Sequence, residues 1–169
     1  MPSLGWLLAL VVSYPWILAT DLLSDTLASW HLLPFTAGAL LITPTLRLKL
    51  PQALLFAACL GLLVESFRPV PSGAAAFPLM VLVVLIAAWR EPLRRRPRPL
   101  VSAFANALGL ASLLIVTGSV TEGAWSNWLI ALPFQVLLAF ALGWLIHPLA
   151  VALQTYFLDR AGFAEIHEI

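Results

Sequence analysis

Long apolar blocks, separated by short polar clusters, organise this chain from end to end. A helix that crosses a bilayer needs roughly 20 residues, because hydrocarbon is about 30 Å thick and each helical residue rises about 1.5 Å. Six blocks meet or approach that length: residues 4–23, 30–46, 51–67, 74–89, 100–120 and 125–147. Hydrocarbon offers backbone N–H and C=O groups no partners, so each block is expected to be helical. The second, third and fourth are short; they must borrow flanking residues, thin the bilayer or stand nearly upright. The pattern predicts an all-α, polytopic integral membrane protein, a bundle of about six transmembrane helices in a single domain over residues 1–169, with a short cytoplasmic tail at 158–169.

Prolines mark several edges. Pro34 lies near the start of the second block, Pro51 in the first turn of the third, where its missing N–H costs nothing, and Pro148 just after the sixth. Pro15, Pro78 and Pro133 fall inside blocks and predict kinks, tolerable where neighbouring helices cover the freed carbonyls. The link from Arg47 to Leu50 is short enough to fold the second and third helices into an antiparallel hairpin. Small residues at helical spacing, Gly5 with Ala9, Ala57 with Gly61 and Ala105 with Gly109, permit close helix approach.

Composition supports a lipid solvent. Of 169 residues, 62% are hydrophobic and 10% charged, too few polar side chains to cover a water-soluble globule of this size. The distribution of charge says more than its net value. One set of alternate loops holds Arg47, Lys49, Arg90, Arg94, Arg95, Arg96, Arg98 and Arg160, and the other holds only Arg68, with Asp21, Asp25 and Glu122 beside it. Cytoplasmic loops carry the basic excess, so both termini are expected in the cytoplasm. One block wrongly assigned would reverse the parity of every later loop and destroy this separation. Trp6 and Trp89 fall at inner ends and Trp30, Trp125 and Trp128 at outer ends, as amphipathic rings prefer, whereas Trp16 and Trp144 do not follow the rule. The first block lacks a basic leader and a small-x-small cleavage site, and is expected to be retained. Cys59, a lone cysteine inside an apolar block, reads as a small buried residue.

Two polar features are candidate sites. The outer end of the third block, Gly61 to Gly73, joins Glu65 to Arg68, the one outward cation. An acid contiguous with an apolar helix is costly and so marks a site or a partner contact; an i, i+3 pair with Arg68 at the interface, worth roughly 0.2–0.5 kcal/mol if exposed, explains it equally well. Gly73 fits the turn into the next helix. The inner loop with Arg90, Arg94, Arg95, Arg96 and Arg98 suits anionic lipid headgroups or an acidic partner, although orientation alone also demands a basic loop there. Nucleic acid is a poor fit, for the loop has no interleaved aromatics. Ser102, Asn106, Ser112, Thr117, Gln135 and His147 are dispersed polar residues that hydrogen bonding between helices, or less commonly a transport path, would explain. No acid or base lies deep in any block, which argues against a proton-driven carrier. Histidines 31, 147 and 167 lack metal-ligand spacing, and no nucleophile elbow or phosphate-binding glycine loop is present, so no enzyme, metal or cofactor is expected.

The order of elements resembles the MreD family of bacterial rod shape-determining membrane proteins. The resemblance rests on the basic turn Arg47 and Lys49, a helix ending Gly61-x-x-x-Glu65, the turn glycine Gly73, a further apolar helix, and a closing helix with Pro148 near its inner end before 149–157. Glu65 stands where the family pattern usually has Asp. What the resemblance implies is a non-enzymatic inner-membrane component of the cell-elongation machinery, working with an MreC-like membrane protein and, through it, with the MreB cytoskeleton and the RodA and penicillin-binding peptidoglycan synthases. A rival of the same size and topology is the substrate-binding membrane subunit of an energy-coupling-factor vitamin transporter. It requires an outward pocket of converging polar groups, for which the outer loops supply little beyond Glu65, Arg68, Asn127 and Trp128.

Overall fold

The computed structural model describes residues 4–27, 32–67, 71–120 and 125–162. All regular structure among them is helical: α1 (Gly5–Leu27), α2 (Ala37–Leu40), α3 (Ile42–Arg47), α4 (Leu50–Ser66), α5 (Ala76–Ala88), α6 (Arg90–Arg94), α7 (Arg98–Val120) and α8 (Trp125–Arg160). Three of these, α1, α7 and α8, are long and apolar enough to cross a membrane, while α4 and α5 are shorter apolar helices.

A core of large apolar residues, among them Phe56, Leu40, Leu41, Leu60 and Leu79, fills the middle of the molecule, but α1 and α8 are sorted the other way. Along α8 the buried positions are Gln135, Ala139, Gly143, His147, Ala150, Gln154 and Leu158, a stripe spaced by threes and fours that is mostly small or polar. Phe134, Leu137, Leu145 and Leu149 face outward, Leu145 with 71% of its surface exposed. Helix α1 repeats the arrangement, burying Gly5, Ala9, Ser13, Ile17 and Thr20 and exposing Leu7, Val11 and Leu22. In water an amphipathic helix buries its large apolar residues. Here they have no reason to turn inward if hydrocarbon surrounds them, and small residues take the interior because they let backbones approach. The pairs Gly5 and Ala9, Ala57 and Gly61, and Ala105 and Gly109 are all buried.

The second block departs from its expected form. It is not one helix over 30–46: residues 32–36 are without helical structure, and α2 and α3 follow in the remainder, offset at Leu41. Residues 28–31, with Trp30 and His31, lie outside the described set. Every residue from Pro34 to Leu48 is buried, so this segment forms the centre of the molecule, with α7 and α8 along one side and α4 and α5 along another. An irregular backbone survives at such depth only where protein encloses it.

Prolines also behave differently from expectation at two places. Helix α8 runs through Pro148 to Arg160, so the sixth block does not end at 147 and residues 158–160 belong to the helix, not to a tail. Pro148 is exposed, which leaves its missing N–H on the outer side, while Ala150, Gln154 and Leu158 continue the buried stripe and carry the helix onward. Pro15 and Pro133 sit inside α1 and α8 as expected, and both are exposed too. Pro78 is not internal: it falls in the first turn of α5, where its absent N–H has no intrahelical acceptor to lose.

Candidate functional site

Three groups of polar residues hold the bundle together, the first between neighbouring helices and the other two between elements distant in sequence. The first is the turn between α4 and α5. Ala75, the N-cap of α5, has no side-chain oxygen to accept the helix's first N–H groups. Glu65, in the last turn of α4, does so in its place: Oε1 accepts from the N–H of Ala75 at 2.7 Å and of Ala76 at 2.9 Å, and Oε2 accepts from the N–H of Gly73 at 2.8 Å. A carboxylate is disfavoured at a helix C-terminus and favoured at an N-terminus, so the α5 end outweighs the α4 end. Gly73 has φ +90°, a conformation that suits glycine. A Cβ placed on Gly61 would run into the backbone of Ala76, so glycine is what lets α4 and α5 lie this close. Gly61, Glu65 and Gly73 are therefore brought together, with the carboxylate facing backbone amides of its own chain. Arg68 lies outside the described residues.

The second group surrounds the broken segment. Asn106 of α7 is completely buried; its Nδ2 donates to the carbonyl of Phe35 at 2.5 Å and of Ala139 at 2.7 Å, and its Oδ1 accepts from the N–H of Ala39 at 3.3 Å. One side chain thus ties α7 to α8 and meets the Phe35 carbonyl in the irregular stretch. Gln154 of α8 does likewise at the other end, donating to Ser13 Oγ at 3.0 Å and to the carbonyl of Leu40 at 3.1 Å. Ser102 donates to the Gly143 carbonyl across α7 and α8 at 3.2 Å. By contrast Ser112 and Thr117 bond back to carbonyls of their own helix, Leu108 and Leu113. Gln154 was missed in the sequence because a block ending at 147 placed it outside the membrane.

The third group is the basic rim. Arg90 donates through one guanidinium nitrogen to the carbonyls of Thr45 at 2.5 Å and Leu48 at 3.1 Å, which the end of α3 leaves unbonded. It is thus a cap on the second segment and not a free member of a surface loop. Arg47, 9% exposed, pairs with Asp159 near the end of α8. Arg95, Arg96 and Arg98 are exposed; the side chain of Arg94 lies outside the described set. The stretch expected as a loop contains α6, and Arg98 opens α7.

Chemically, these groups bind and brace. Among the described residues no set of three His, Cys, Asp or Glu side chains could hold a metal ion. The best-formed clefts each enclose about 10 Å³, room for a single water. Comparison with protein families, with curated proteins and with solved structures finds no match.

Proposed function

We propose that this chain is a non-enzymatic, multi-pass protein of the bacterial inner membrane that acts by presenting helix faces to other membrane proteins, in the manner of the MreD family that its sequence resembles. The observation that carries this reading is the sorting along α1 and α8: Asn106, Gln154, Ser102 and Glu65 are engaged within the chain, while the outward faces of these two helices are left apolar. Such faces can pack against the transmembrane segments of an MreC-like protein. Six membrane passages with both termini in the cytoplasm remain compatible with the broken segment. Ten helical residues at about 1.5 Å and six others at no more than about 3.3 Å give at most roughly 35 Å, enough for hydrocarbon about 30 Å thick.

Co-purification and cell shape test the proposal together. Depleting the chain in its host should round the cells, and the tagged chain should bring down the MreC-like protein. Rods that keep their form, with no such partner recovered, would overturn it. The vitamin-carrier reading draws on the broken second segment, because carriers build sites from interrupted helices. A vitamin-class ligand retained through purification would favour that reading, but its pocket must reach about 300 Å³, far above the 10 Å³ clefts among the described residues.

A further inference from the structure

Two shallow clefts share a wall built from Ile42, Leu46 and Arg98. One continues among Arg47, His147 and Thr155, the other among Ile86, Leu93 and Val101. The first is lined by charge and hydrogen-bonding groups, the second by hydrocarbon, and Arg98 stands between them. We infer that this paired cleft is a binding site for an anionic glycerophospholipid, the phosphate held on the Arg98 and His147 side and an acyl chain laid along Ile86 and Val101.

Four observations lead to that ligand. His147 is 5% exposed, it lines the polar cleft, and its Nδ1 meets no hydrogen-bond partner. A buried nitrogen left so is costly, and a phosphate oxygen would accept its proton in the Nδ1–H tautomer. Next, the guanidinium groups of Arg47 and Arg98 border the cleft, where Arg47 also pairs with Asp159, itself 54% exposed. Guanidinium and phosphate match in geometry as well as in charge. Arg98 is also the first residue of the 23-residue α7, whose N-terminal end adds positive potential to the same place. Finally, the apolar branch is what separates a lipid from free phosphate, since an inorganic ion has no use for Ile86, Leu93 and Val101.

The polar cleft is about 10 Å³, so it takes one phosphate oxygen and leaves the rest of the headgroup outside, near exposed Arg95 and Arg96. Those two act as a diffuse field, whereas Arg98 and His147 define a place. The inference stands apart from the choice of partner protein.

The full chain, purified in mild detergent and offered equal phosphatidylglycerol and phosphatidylcholine, is to be read by mass spectrometry of the intact complex. Phosphatidylglycerol should be retained preferentially. Arg98→Gln and His147→Leu should each lower its retention about tenfold, as loss of a charge-assisted or buried hydrogen bond requires. Arg96→Gln should change it by less than about twofold. Thermal melts accompany each variant, and should buried His147→Leu fail to fold, exposed Arg98→Gln decides alone. Equal retention of the two lipids, or equal losses from Arg96→Gln and Arg98→Gln, would show a general field and overturn the site. Inorganic phosphate binding as well as the lipid would overturn the assignment to an amphiphile.

Discussion

One methyl group decides how closely α4 and α5 can lie. Gly61→Ala should lower stability by about 1–3 kcal/mol, the usual range for overpacking, seen as an earlier thermal melt in detergent. Gly73→Ala meets no neighbour within 4 Å, so only its left-handed conformation is penalised, by about 1–2 kcal/mol. Glu65 should rank by its acceptors: Glu65→Gln keeps one oxygen for the amides of Ala75 and Ala76, whereas Glu65→Ala abandons three N–H groups, and each one left unpaired and buried costs about 1–3 kcal/mol. Melting temperatures in the order Glu, Gln, Ala test this. A reversed order would mean that the carboxylate serves something other than α5. The sequence singled out Glu65 as an acid contiguous with an apolar helix and Gly73 as a turn glycine, but it offered a partner contact or a pair with Arg68 and not the amides of Gly73, Ala75 and Ala76, because it does not show how closely α5 returns against α4. Asn106 was legible as a residue bonding between helices, but its acceptors were not, since nothing in the sequence says that Phe35 lies in irregular backbone.

At the scale of the element, apolarity marked the segments without telling whether protein covers them. Residues 30–46 and 100–120 read alike as apolar blocks, yet the first is enclosed by protein and broken while the second is one helix. Hydropathy does not distinguish neighbouring side chains from lipid. Proline was misjudged at 148 for a related reason: its effect depends on which face it occupies, and the face is set by packing. Pro148→Ala should therefore leave the melt unchanged or raise it, because the ring is exposed and a backbone donor is regained. Gly143→Ala, one turn earlier on the opposite side, should cost about 1–3 kcal/mol, since its Cβ would lie 2.8 Å from Asn106 Cβ and 2.9 Å from Ala103 Cα. A chain stopped after residue 148 should fail to fold, for it loses Ala150, Gln154 and Leu158 from the core and Asp159 from Arg47. A stopped chain that melted like the full one would show that the end of α8 contributes nothing.

For the whole molecule, the proposed orientation rests on the basic rim. In a Cys59→Ala background, Arg96→Cys should react with a membrane-impermeant maleimide in inverted vesicles and not in intact cells. Labelling from outside would reverse the proposed topology. The centre of the bundle also sets a timetable for its birth. The carbonyls of Phe35 and Leu40 wait for Asn106 and Gln154, which leave the ribosome 71 and 114 residues later. At about 5–20 residues per second, Leu40 waits roughly 6–23 s before its partner exists. Through that interval the early third of the protein is an unfinished client of the insertion machinery, open to chaperones and to membrane proteases. Surveillance thus has a built-in window in which to remove chains whose last helix never arrives.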